Sequence, residues 1–193
     1  MRRLIYLLAG IALVVVLVIG LTQAGGGSST EQAAKPFDLP AAKRKLAAAP
    51  APLNGLYAQA NQLLGGGKSA FDQRIDTLKG HPVVVNKWAS WCVPCQSEFP
   101  VFQSVAADKG TQVAFLGLDG RDVDTAAKRF LAKRPLPFPS YTDPDDEIAT
   151  KRKIAVGFPM TMFLDREGKV AFIHTGQYKS PADLLRDIDR YAH

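Results

Sequence analysis

Cysteine is scarce: the 193-residue chain contains two, Cys92 and Cys95. That excludes a disulfide-stapled miniprotein and a four-cysteine zinc module. Its three histidines, His81, His174 and His193, are scattered, so no metal is expected. Long runs of one charge are missing as well. The clusters Lys43-Arg44-Lys45 and Lys151-Arg152-Lys153 are not interleaved with aromatics, so they read as solvated faces, and no nucleic-acid partner is expected. No internal repeat is visible. What remains is an ordinary globular composition, 47% hydrophobic and 22% charged, which excludes disorder throughout, collagen and a multi-span membrane protein.

The first block differs from the rest. Arg2-Arg3 precede an uncharged apolar run, Leu4 to Leu21, whose 18 residues would span roughly 27 Å as a helix. Positive charge ahead of the span and none just after it places the amino terminus in the cytoplasm and the C-terminal domain outside, as a single-pass protein of the cell membrane. Residues 1–21 therefore read as an uncleaved membrane anchor; a cleaved signal peptide is the competing reading. Residues 22–52, opened by Gly25-Gly26-Gly27-Ser28-Ser29, read as a flexible linker. From Leu53 to Leu64 apolar residues recur at helical spacing until Gly65-Gly66-Gly67, which predicts a short helical extension over 53–69.

Residues 70–193 read as one α/β domain. Val83–Asn86 and Val113–Asp119 read as strands, Pro94–Ala107 and Asp122–Lys133 as helices, and a short extended stretch falls near Phe138–Tyr141. This alternation predicts a βαβ unit with parallel strands. Thr161–Asp165 and Val170–His174 flank Arg166-Glu167-Gly168-Lys169, a hairpin signature. Ser180-Pro181-Ala182-Asp183 then starts a closing helix, with Ser180 as its cap. The sum is a central mixed sheet flanked by helices.

The chemistry concentrates where a strand hands over to a helix, at Trp91-Cys92-Val93-Pro94-Cys95. With Cys92 at the helix start, Cys95 falls three residues on and on the same face, so the sulfurs can bond and part reversibly. First-turn amides favour negative charge on Cys92, which makes it the attacking nucleophile. Cys95, deeper in the helix, then resolves the mixed disulfide. Pro94 presets the first turn, where its missing N–H costs little. A static bond closing so small a loop would restrict the unfolded chain little, so stability is a weak motive for the pair.

The run Val83-Val84-Val85-Asn86-Lys87-Trp88-Ala89-Ser90-Trp91-Cys92-Val93-Pro94-Cys95, followed by Glu98-Phe99-Pro100, resembles the thioredoxin-like thiol-disulfide oxidoreductases of the TlpA/ResA type. Asp143-Pro144-Asp145, Gly157-Phe158-Pro159 and Phe163-Leu164-Asp165-Arg166-Glu167-Gly168 extend the match over about residues 70–193. The resemblance implies a thioredoxin-like fold, a single membrane anchor, a redox-active Cys92–Cys95 disulfide and no cofactor. It implies a protein-disulfide reductase of the cytochrome c maturation type. Its partners would be disulfides of exported proteins, apocytochrome c among them, and a transmembrane electron donor; the protein itself would be a monomer.

Residue by residue, the resemblance makes Pro159 a cis-proline beside the cysteines, and Phe158 the residue whose backbone meets a substrate strand. It makes Glu98 an acid near the site; the competing reading is a solvated helix carboxylate. Asn86 stands where cytoplasmic thioredoxins carry a buried aspartate, so Glu98 or water would take the proton from Cys95. Trp91 reads as a partly exposed wall of the substrate surface and Trp88 as core. Two other classes remain open at this point, a thioredoxin-like copper chaperone and a thiol peroxidase.

Overall fold

The computed structural model describes residues 36–192, and its first helix lies where the sequence predicted linker. Helix α1 (Leu39–Leu46) is capped by Asp38, whose carboxylate accepts from the Ala41 N–H, and it buries Ala42 and Leu46. A short helix α2 (Leu53–Ala58) follows and buries Leu53, Leu56 and Tyr57. The linker expectation thus fails over 39–52, where apolar residues at i and i+4 lend one face to the core despite the Ala- and Pro-rich composition. The anchor expected at 1–21, and the linker as far as residue 35, lie outside the described residues. Among the described residues no helix is long and apolar enough to cross a membrane.

The extension is also shorter in helix than its spacing suggested. After α2 the chain turns into a two-residue strand, β1 (Leu63–Leu64). The glycine triplet then connects β1 to helix α3 (Gly67–Thr77) rather than ending a helix. Gly66 has φ +96°, and a Cβ there would lie 2.6 Å from that of Ala70, so glycine is required at this joint.

The remaining elements are β2 (Val83–Trp88), α4 (Val93–Lys109), β3 (Ala114–Gly120), α5 (Asp124–Lys133), β4 (Ser140–Asp143), α6 (Glu147–Lys151), β5 (Met160–Leu164), β6 (Val170–Thr175) and α7 (Pro181–Tyr191). They build one mixed sheet in the order β1-β4-β3-β2-β5-β6. Strands β1 to β4 run parallel in their pairs, and β5 is antiparallel to both β2 and β6. As expected, β5 and β6 form a hairpin. The Asp165 carboxylate accepts from the Glu167 and Lys169 N–H groups, and Gly168 sits at φ +78°. Ser180 caps α7, its hydroxyl accepting from Asp183 N–H.

All six residues of β2 are buried, because the strand lies between β3 and β5 with helices over the sheet. Tyr57 couples the extension to this sheet: its hydroxyl donates to the Val113 carbonyl at 2.6 Å and accepts from the Phe115 N–H at 3.2 Å. Tyr57→Phe strands both buried backbone groups at once. A loss of about 2 kcal/mol is expected, measured as a shift of the urea midpoint at unchanged slope.

Candidate active site

Strand β2 ends at Trp88, four residues before Cys92, and β5 begins at Met160 opposite Lys87. The sheet therefore brings the start of α4 and the Phe158–Pro159 loop to the same end. Cys92 is the N-cap of α4, with its sulfur accepting from the Cys95 N–H at 3.2 Å. The two residues are disulfide-bonded with Cα atoms 5.2 Å apart. Cys92 is 3% exposed and Cys95 fully buried, so the outer sulfur is the one an incoming group can reach. Negative charge on that sulfur would be met by the Cys95 N–H it already accepts from and by the positive end of the helix.

Side chains of Asp122, Gln96 and Arg134 hold this turn. The Ser90 N–H and hydroxyl both donate to the Asp122 carboxylate, and the Gln96 side chain donates to the Ser90 carbonyl at 2.8 Å. Pro94 sits in the first turn of α4. Pro100, further along, cannot donate to the Gln96 carbonyl, and Arg134 from the end of α5 donates to that oxygen at 2.7 Å instead.

Trp91 is 54% exposed, its indole N–H donating to the Arg121 carbonyl, and its ring packs edge-on against Phe158 at 5.0 Å. The Phe158–Pro159 peptide is cis. Trp88 is fully buried against Phe99 and Phe130.

Glu98, one helical turn beyond Cys95, is not a solvated carboxylate. It is fully buried, and its two oxygens accept from the Asn86 side-chain amide at 2.7 Å and the Tyr178 N–H at 3.1 Å. Burial pushes its pKa up to about 8, against the pull of those two donors. The second atom of the Asn86 amide, Oδ1, is buried without a partner. An amide in this place can present Nδ2 to a carboxylate or, turned over, Oδ1 to a carboxylic acid. Asn86 can thus follow either protonation state of Glu98 without titrating itself.

Residues 53–188 match the Redoxin family model. The chain belongs to the Redoxin family. Among its Redoxin relatives, the thiol-disulfide oxidoreductase ResA of Oceanobacillus iheyensis is 31% identical over 106 residues, 53% of this chain and 54% of the relative. The thiol:disulfide interchange protein DsbE of Pseudomonas fluorescens is 33% identical over 100 residues, 51% of this chain and 54% of the relative. The chain spans about half the length of these curated relatives. In structure it is similar to MTB dsbF, with a TM-score of 0.55 at 32% identity over 60% of this chain and 84% of that one. DsbE from Chlorobium tepidum superposes with a TM-score of 0.53 at 28% identity, over 60% and 83%. The fold is thioredoxin-like, a central mixed sheet flanked by helices, and the resemblance to the TlpA/ResA type holds.

Cys92, Cys95, Trp91 and Pro94 lie at the start of α4, Phe158 packs on Trp91 and leads through the cis bond to Pro159 just before β5, and Glu98 sits a turn further along α4 against Asn86. Of the histidines, His174 in β6 stacks on Tyr178 and lies 3.7 Å from Asp187. Sequence reasoning missed two things here. One is a second buried acid, Asp119, 2% exposed at the end of β3 and pushed up to about 8 by burial and then by the neighbouring Asp122. The other is Lys87, fully buried and paired with Asp146. Its signal was present in Val-Val-Val-Asn-Lys-Trp, where a lysine interrupts an apolar central strand.

Proposed function

We propose that this chain is an extracytoplasmic thiol-disulfide oxidoreductase that reduces disulfides of exported proteins through the Cys92–Cys95 pair, held to the membrane by residues 1–21. The observation that carries the reading is a disulfide at a helix N-terminus whose outer cysteine keeps slight exposure while the inner one has none, one turn from a buried acid. In the reduced protein the Cys92 thiolate attacks one sulfur of a substrate disulfide and expels the other as a thiolate. Cys95 then attacks the Cys92 sulfur, the mixed disulfide breaks, and the substrate leaves with both sulfurs reduced. Two electrons pass to the substrate and Cys92–Cys95 is left oxidised. Resolution needs the proton of Cys95 removed. Glu98, poised near neutrality, is the acceptor, since Asn86 cannot titrate.

Substrate binding follows from the same end of the sheet. Phe158 offers backbone groups to an extended substrate segment, and Trp91 forms the wall beside Cys92. Apocytochrome c is the substrate class that the TlpA/ResA resemblance favours. A transmembrane donor of electrons restores the dithiol, because the anchor carries no redox group. ResA and DsbE relatives that bear oxidoreductase and interchange names support this reading.

Titration of the full-length chain in detergent against glutathione buffers tests the direction. A reductant should settle nearer about −270 mV, where thioredoxin lies, than about −120 mV, where the oxidant DsbA lies. It should also accelerate insulin reduction by dithiothreitol. A midpoint near the upper value would make the protein an oxidant.

A further inference from the structure

We propose that Lys87 is a positioning residue for substrate capture: its ammonium group, locked between Asp146 and the ring of Phe158, fixes the Phe158–Trp91 platform beside Cys92. The proposal rests on the thiol-disulfide reading above. Lys87 Nζ lies 3.0 Å from Asp146 Oδ1 and 4.0 Å from the centre of the Phe158 ring. Phe158 in turn meets Trp91 at 5.0 Å. The charge therefore lies one aromatic contact from the residue adjoining the nucleophile.

Three observations point to position rather than stability. A methionine would bury the same stem without desolvating a charge, and Asp146 would still be paired through Oδ2 with Arg121 Nε, at 2.5 Å. Strand β3 makes room for the arrangement at Gly120, where a Cβ would lie 2.9 Å from both Asp146 Oδ1 and Lys87 Cε and 3.1 Å from Phe158 Cζ. Finally, Arg121 and Asp146 both hold left-handed backbones, at φ 50° and 53°. Such residues persist where the surroundings over-determine them, commonly at functional sites. Arg121 closes the ring, since its carbonyl accepts the Trp91 indole N–H while its guanidinium holds Asp146. A desolvated cation over a ring face is an interaction strong enough to matter for substrate capture.

The test is Lys87→Met in the full-length chain. With insulin as substrate, KM should rise about tenfold while kcat moves less than twofold. Trp91, the exposed one of the two tryptophans, should become more open to acrylamide quenching. Lys87→Gln should resemble Lys87→Met, because it keeps a polar end but no cation for the ring. Unchanged KM and quenching in a folded variant would overturn the proposal. If neither variant folds, Phe158→Leu decides: Lys87 acts only through that ring, so the same rise in KM is required and an unchanged KM refutes it. Quenching reports the platform without turnover, so a wild-type chain that fails to reduce insulin counts against the thiol-disulfide reading alone.

Discussion

Cys95→Ser should accumulate mixed disulfides with exported proteins, and Cys92→Ser should accumulate none. Both variants should lose multiple-turnover insulin reduction down to the uncatalysed rate, since each removes one of the two sulfurs through which electrons pass. The asymmetry in trapping comes from position. Cys92 ends the loop and caps α4, whereas Cys95 lies inside the first turn and is fully buried. A substrate sulfur can reach the first and not the second. Non-reducing gels with mass spectrometry of the adducts give the readout, and equal trapping by the two variants would reverse the assignment of roles.

The second large effect is on pH. Glu98 rises from 4.5 to about 8 on folding, and Asp119 from 3.8 to about 8. Between those limits the native state keeps protons that the unfolded chain has lost. Stability is therefore highest at or below about pH 4 to 5 as far as these groups are concerned, declines as pH rises towards 8, and is flat above it. For Glu98 alone the shift corresponds to about 5 kcal/mol at most. Denaturant titrations of the oxidised protein at pH 5 and pH 8 should show the decline. Glu98→Gln should remove roughly half of it, with Asp119→Asn removing the rest. The same Glu98→Gln change should slow resolution of a pre-formed mixed disulfide and erase its pH dependence near 8. A variant with the wild-type slope and wild-type resolution rate would exclude Glu98 as the proton acceptor.

Most of the domain's order was legible in its residues because the signals are local. The apolar run at Val83, the hairpin around Gly168 and the Ser180 cap each specify an element without help from distant chain. The elements that were missed draw their order from elsewhere. Leu63 and Leu64 form a strand only because β4 is there to pair with them. Helix α1 is read as linker until Leu46 is seen in the core.

The site divides in the same way. The cysteines and Pro94 carry their chemistry in their spacing, but the state of Glu98 depends on Tyr178, 80 residues away in sequence. Helical periodicity leaves α4 with buried residues on several faces, so no pattern marks Glu98 as interior. Lys87 is clearer in retrospect. A cation in a buried strand requires a counterion, but the sequence alone does not single out Asp146 among the acids of the chain.

The two-residue strand β1 has a practical consequence. It covers one side of β4, with Ser140 N–H donating to the Gln62 carbonyl and Asn61 N–H to the Phe138 carbonyl. A fragment beginning at residue 70 would retain both cysteines and most of the family match, which starts at residue 53. It would leave a row of β4 donors and acceptors unpaired, a template for sticking to other chains. Any shortened chain should therefore keep residues 61–64, and one beginning at Phe37 keeps the whole compact unit.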